Sequence, residues 1–271
     1  MNDLPVLGAS MRSSKLPGCM EWLVAEQRDL EITDPCLEGG LDDDWRGAAM
    51  GVQSLLEESG YQGRVGIHGA YDGVDLATSD TVLRAAMSNR LQQSLEFGQV
   101  FGASHMVLHS PFVWFGHPLV HYAPGEERQW VIDATHAIIE PLLPLAEQMG
   151  CTLVFECCYD LNPEPLLELI RSFDSDHVRL SIDVGHAYIM QGLGGPSPDQ
   201  WIRQGGDLLA HLHLQDNDGL ADWHWSIGRG TVRWPAIFDA LAALDHRPRL
   251  ILEIEDLEGS SAWLAAQGLA Q

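Results

Sequence analysis

The chain has 271 residues, 45% of them apolar, and a formal net charge of −24 with Lys15 as its only lysine. That length and composition fit one large domain or two small ones with a sizeable core. The charge argues against nucleic acid, because such a surface repels phosphates and offers them few contacts. A lysine-centred mechanism would have to use Lys15, so acid–base work falls to Glu, Asp or His. No run of about 18 apolar residues occurs, so no membrane span is expected, and the segment 1–18 lacks the apolar stretch of a signal peptide. Cys19, Cys36, Cys151, Cys157 and Cys158 are odd in number and show no CxxC spacing, which places the chain in a reduced, cytoplasmic setting.

Short apolar runs alternate with longer amphipathic ones. Leu4–Ala9 reads as a first strand, followed by a helix over Cys19–Gln27. Asp29–Thr33 is a second strand and Asp43–Ser59 its helix, with Asp42–Asp44 supplying an N-cap and a negative first turn. Arg64–His68 is the third strand, and Ser79 to about Gly98 a long helix. His105–His109 is the fourth strand. An aromatic loop follows, then a helix from about Glu126 to Met149 that Pro141 and Pro144 kink or break. Cys151–Cys157 is the fifth strand, with a helix over Pro163–Ser172. Val178–Asp183 is the sixth, followed by a Gly/Pro-rich turn and a short helix near Pro198–Gln204. Leu208–Leu214 is the seventh strand, Pro235–Leu244 a helix, Leu250–Ile254 the eighth strand and Ser260–Ala266 a last helix. Eight strands, each followed by a helix, predict a single α/β domain over residues 1–271, a (β/α)8 TIM barrel. The LGASM turn after the first strand is not the Gly-rich turn that a doubly wound dinucleotide fold requires.

In such a barrel the chemistry gathers at the C-terminal strand ends. Here those ends carry His68 (VGIHGAY), His109 (MVLHSPF), Glu156 (LVFECC), Asp183 with His186 just beyond (LSIDVGH), His213 and Glu253 (LILEIED). The loop after the seventh strand adds Asp222 and His224. Each is a residue able to ligate metal at the tip of an apolar strand. A buried Glu or Asp there costs several kcal/mol unless it is paired or metal-bound. Neutral imidazole and hard carboxylate oxygen together suit a divalent ion. His211 shares a face with His213 and Glu255 with Glu253, so each pair offers two candidates. His105 starts its strand, at the opposite end of the barrel. His117, His121, His136, His177 and His246 read as ordinary loop or helix histidines.

The segments IHGAYDGVDLATSD, MVLHSPF, LVFE, LSIDVGHA, HLHLQDN, DWHWSIGRG and LILEI, spread over nearly the whole chain, resemble the xylose isomerase-like TIM-barrel superfamily. It holds sugar (phosphate) isomerases and epimerases together with endonuclease IV-type apurinic endonucleases. The resemblance implies one divalent ion, manganese or zinc with magnesium and cobalt as alternatives, on Glu156, Asp183, His213 and Glu253. It implies substrate contact for His186 in an epimerase, or a further metal there in an endonuclease. The extra ligands of the three-zinc endonucleases match His68, His109, Asp222 and His224.

The function it implies is a metal-dependent isomerase or epimerase acting on a sugar or keto-sugar. Glu156 and Glu253 would move the proton, and a developing enediolate would be stabilised. His186, His68, His109, Arg229 and Trp114 would be the substrate-binding residues. A trinuclear zinc phosphodiesterase of the apurinic endonuclease kind, and a keto-sugar lyase or hydratase, are the alternatives. A third reading is a non-catalytic barrel. The ketohexose epimerases carry an Arg shortly after the seventh-strand His, where this chain reads QDNDGL, and Arg229 is the candidate replacement. Trp114, Phe115, Trp223 and Trp225 sit on two flanking loops, where they would wall off water or contact a second copy in a homo-oligomer.

Overall fold

The computed structural model describes residues 4–42, 44–112 and 125–271, with the side chains of 125–127 excepted. Its strands are β1 (Gly8–Met11), β2 (Leu30–Ile32), β3 (Val65–His68), β4 (His105–His109), β5 (Thr152–Cys157), β6 (Val178–Asp183), β7 (Leu209–Leu214) and β8 (Arg249–Leu252). All pair in parallel with their sequence neighbours, and β8 returns to β1 through Gly8↔Ile251 and Ala9↔Leu252, so the sheet closes. The expected (β/α)8 barrel is the fold.

The helices in chain order are α1 (Leu16–Ala25), α2 (Trp45–Glu58), α3 (Thr81–Gln99), α4 (Gly125–Ile139), α5 (Leu143–Met149), α6 (Pro163–Ser172), α7 (Val184–Gly192), α8 (Pro198–Gly205), α9 (Trp234–Ala242) and α10 (Leu257–Ala266). The long helix expected to end at Met149 is interrupted. A 3-10 turn over Glu140–Leu142 separates α4 from α5, because Pro141 and Pro144 lack the N–H that would continue the ladder. Asp44 and Asp80 cap α2 and α3, accepting from Gly47 N and from Val82 N and Leu83 N, which satisfies the open donors of each first turn.

Three elements depart from the expected pattern. β8 ends at Leu252 rather than Ile254, so Glu253 lies just past the strand. The first strand begins at Gly8 rather than Leu4. Residues 5–7 instead bond the chain's last residue, through Gln271 N to Pro5 O at 2.9 Å and Leu7 N to Gln271 O at 3.0 Å. A helix the sequence did not mark, α7, stands between β6 and the expected Gly/Pro-rich turn. Asp183 nucleates it, its Oδ1 accepting from His186 N at 2.6 Å. A carboxylate at an N-cap also favours the positive end of the helix dipole.

The barrel sorts its side chains by the two-residue period of a strand. Met106, Leu108, Leu153, Phe155, Leu180, Ile182, Leu212 and Leu214 are buried, on the outward face, under the helices. The alternate positions turn inward and are largely polar: Ser10, Glu31, His105, His109, Glu156, Ser181, Asp183, His211 and His213. Registers His109↔Glu156 and Asp183↔His213 set these tips at one height.

Candidate metal centre

Glu156, at the end of β5, is the hub. Its side chain is 1% exposed. Oε2 lies 3.3 Å from His213 Nδ1 and 3.7 Å from His68 Nε2, and Oε1 lies 3.4 Å from His186 Nδ1. Glu253 Oε2 approaches the same His213 Nδ1 at 3.4 Å. Asp183 presents Oδ1 to the backbone and leaves Oδ2 free. Among the described residues, four fully buried atoms there have no hydrogen-bond partner: Glu156 Oε2, Asp183 Oδ2, His186 Nδ1 and His213 Nδ1. Buried polar atoms are almost always paired, and orphaned lone pairs from carboxylates and imidazoles in one spot are what a divalent cation satisfies. The residues therefore fit the ion that the sequence led us to expect.

Four sets of ligand atoms, each lying within 4.8 Å of one another, adjoin here: Glu156–Asp183–His213, His68–His109–Glu156, Glu156–Cys158–His186 and His186–Asp222–His224. Glu156 belongs to three of them. In the last, Asp222 Oδ2 accepts from His186 Nε2 at 3.1 Å and from His224 Nε2 at 3.2 Å. His224 Nδ1 donates to Glu253 O at 2.8 Å. His224 holds φ +47°, a left-handed backbone that costs a non-glycine residue about 1–3 kcal/mol and clusters at functional sites. Gln215 Nε2 donates to Asp222 Oδ1 and to Asp183 Oδ1, tying the loop to the β6 tip. Gly185 gives that amide its room, since a Cβ there would lie 2.1 Å from Gln215 Cδ.

Electrostatics follow from this crowding. Burial pushes Asp183 up to about 6, with Glu156 and Glu253 adding to the shift and His186 opposing it. Burial would likewise raise Glu156, but the imidazoles of His213, His186 and His68 hold it well below the ordinary carboxylate range. Burial lowers His109 to about 3. Burial works against the charged form of His224 too, yet Asp222, Glu253 and Asp183 lift it to about 9.

Above these residues opens a cavity of about 530 Å³ whose wall includes Arg12, Lys15, His68, Tyr71, Trp223 and Glu253. His109 stacks on Tyr71 at 4.6 Å between ring centroids. Trp223 stacks on Trp225 at 5.8 Å, and the Arg229 guanidinium lies 4.7 Å from the Trp225 ring centroid. Arg229 thus packs against the aromatic pair and is not among the residues lining this cavity. Trp114 and Phe115 lie outside the described residues.

Sequence reasoning passed over Glu31. It is fully buried inside the barrel and holds three histidines. Oε2 accepts from His105 Nε2 at 2.9 Å and lies 3.2 Å from His211 Nε2, while Oε1 accepts from His213 Nε2 at 2.9 Å. Burial alone would raise its carboxyl, but His213, His105 and His211 hold it well below the usual range. The available signal was a Glu flanked by Leu30 and Ile32 at the centre of an apolar strand. His105 does start its strand, yet points into the barrel rather than to solvent.

The chain matches the family described as xylose isomerase-like TIM barrel over residues 30–269. It is 19% identical over 217 residues to an uncharacterised protein of Methanocaldococcus jannaschii, covering 76% of this chain and 70% of that one. It is 27% identical over 104 residues to a D-psicose 3-epimerase of Enterocloster bolteae, a match of 38% of this chain and 32% of the other. Among solved structures, a D-tagatose 3-epimerase-like protein superposes with TM-score 0.74 at 19% identity, covering 97% of this chain and 98% of its own. The chain belongs to the xylose isomerase-like TIM barrel family.

Proposed function

We propose that the protein is a divalent-metal-dependent isomerase or epimerase of a sugar or keto-sugar, with the ion held by Glu156, Asp183, His213 and Glu253. The observation that carries this reading is the set of orphaned, fully buried ligand atoms on three strand tips beneath a cavity of small-molecule size. Similarity to proteins named as sugar 3-epimerases supports the substrate class. Manganese or zinc suits the mixed carboxylate and imidazole donor set, and magnesium or cobalt is compatible with it.

When bound, the ion supplies Lewis acidity that polarises the substrate carbonyl and favours the enediolate. Glu253 is 25% exposed and lines the cavity, so it is the carboxylate that a substrate C–H meets first. Glu156 lies deeper, across His213 Nδ1 from Glu253. The two can take a proton from one face and return it to the other. His186, His68 and His109 orient hydroxyls, with His109 packed against His68 and Tyr71. Trp223 covers the mouth and excludes water. In this reading Trp114 and Arg229 contribute from the flanking loops. The five cysteines are all unpaired, as a reducing cytoplasmic setting would leave them, and no helix among the described residues is long and apolar enough to cross a membrane.

One observation favours a second reading. Three of the four adjoining ligand sets could hold one ion each, as a trinuclear phosphodiesterase requires. Against it stand the net charge of −24 and the cavity wall. Its cations are Arg12 and Lys15, and Lys15 is paired with Glu255 at 2.6 Å. A DNA-binding rim needs a basic crescent.

The test is solvent exchange. Metal-loaded protein is incubated with a panel of ketoses and keto-sugars in D2O and followed by proton NMR. Deuterium appearing at a carbon next to the carbonyl, with formation of the isomer or epimer, supports the reading. A lyase or hydratase would show the same exchange followed by loss of water or cleavage. Cleavage of DNA with an abasic site, without exchange in any sugar, would replace the reading with the phosphodiesterase.

A further inference from the structure

We infer that Glu31 is a positioning residue for the metal centre, fixing His213 as an Nδ1 ligand from inside the barrel. This rests on the four-ligand reading above and adds a residue from the opposite side of the imidazole.

The hydrogen bonds around this fully buried carboxylate fix the tautomer of His213. Glu31 Oε1 accepts from Ser10 Oγ and His213 Nε2, each at 2.9 Å, and Oε2 accepts from His105 Nε2 at 2.9 Å. An ionised carboxylate only accepts. A neutral imidazole carries a single N–H. With Nε2 donating downward to Glu31, the lone pair of His213 must sit on Nδ1. That nitrogen is the one without a hydrogen-bond partner, aimed between Glu156 Oε2 at 3.3 Å and Glu253 Oε2 at 3.4 Å. A carboxylate behind a ligating imidazole sets its tautomer, locks its ring and raises its basicity.

The surroundings hold Glu31 in turn. Gly66 is its register partner on β3, and a Cβ on Gly66 would lie 1.9 Å from the His105 ring. Glycine there is what lets His105 lie against the carboxylate. His211 Nδ1 is bonded to Ser181 Oγ at 2.8 Å, so it flanks Glu31 without displacing the His213 bond. These contacts keep the carboxylate from rotating toward the site and becoming a ligand itself.

The test reads metal affinity and ligation, not turnover. Zinc dissociation constants are measured by chelator competition for wild type, Glu31→Gln, Glu31→Asp and Ser10→Ala. Glu31→Gln should weaken zinc binding about 10- to 100-fold, and Glu31→Asp, which keeps the charge, should recover part of the loss. Ser10→Ala removes a bond to the same carboxylate but leaves His213 anchored, so it should stay within about twofold of wild type. Long-range 1H–15N NMR of zinc-loaded wild type needs no variant to fold, and should show His213 ligated through Nδ1 with a proton on Nε2. Ligation through Nε2, or unchanged affinity in Glu31→Gln, would overturn the inference while leaving the metal reading intact. An ion seated on Glu31, His105 and His211 would also overturn it. Wild type that binds no zinc would sink the four-ligand reading itself, and this inference with it.

Discussion

Asp216 gives the sharpest stability forecast, because its four bonds can be counted. The side chain is fully buried at the start of the loop that carries Asp222, Trp223 and His224. Oδ1 accepts from Asn217 N at 3.0 Å and Val232 N at 3.2 Å. Oδ2 accepts from Gly228 N at 2.8 Å and Trp234 Nε1 at 3.1 Å. Asp216→Asn preserves shape but makes one of the two oxygens an NH2. Whichever way the amide turns, two N–H donors lose their acceptor and face another donor. At about 1–3 kcal/mol for each buried unsatisfied group, the cost is about 2–6 kcal/mol. For a chain of this size that lowers Tm by roughly 4–24 °C. Urea and thermal unfolding followed by circular dichroism read this directly. Exposed Asp218, which accepts from Leu220 N and Trp223 Nε1, is the internal control. Asp218→Asn should change stability by less than about 0.5 kcal/mol. Equal small effects from both substitutions would refute the claim that Asp216 organises the loop.

Glu156→Gln removes the ligand shared by three of the four sets, so zinc or manganese binding should fall and exchange activity should drop about 10²- to 10⁴-fold. Chelator competition and the D2O assay check it, and activity within threefold of wild type would contradict the assignment. Gly66→Ala puts a methyl group into the His105 ring. Overpacking of this kind costs about 1–3 kcal/mol, and a urea midpoint unchanged from wild type would count against the packing described. Asp160 is buried, accepts from Ser110 Oγ at 2.8 Å and Cys158 N at 2.9 Å, and is pushed up to about 6 by burial. A carboxyl raised in the folded state contributes its stability below its unfolded value near 3.8 and loses it as pH rises through about 6. Asp160→Asn does not ionise, and it keeps both contacts when its oxygen accepts from Cys158 N and its NH2 donates to Ser110 Oγ. Its stability relative to wild type should therefore rise between pH 4 and pH 7, by about 3 kcal/mol at most, and Tm profiles parallel across that range would refute the shift.

The barrel was legible because eight apolar runs recur with helices between them, and strand tips such as His68, His109, Glu156, Asp183 and His213 interrupt those runs with costly polar residues. The hidden parts share a physical cause. Glu31 acquires its role only from His105, 74 positions away, and His213, 182 positions away. Local pattern marks a polar residue in a strand but not what it meets across a closed sheet. Helix α7 escaped notice because its glycines and the metal-ligating appearance of Asp183 masked a capping residue. The early start assigned to β1 followed apolar character alone, whereas the chain's end claims those backbone groups. Arg229 was offered only as a replacement for the epimerase arginine missing from QDNDGL, and the fold sets its guanidinium against the Trp225 ring, outside the residues that line the cavity.

The central claim is that Glu156, Asp183, His213 and Glu253 converge on one cation. A crystal structure of the zinc-loaded protein, with anomalous data collected on both sides of the zinc edge, addresses it without reference to any substrate. The account expects an anomalous peak within coordination distance of carboxylate oxygens from Glu156, Asp183 and Glu253 and of His213 Nδ1. A peak elsewhere with those four side chains unligated, or none at full zinc loading, would contradict it.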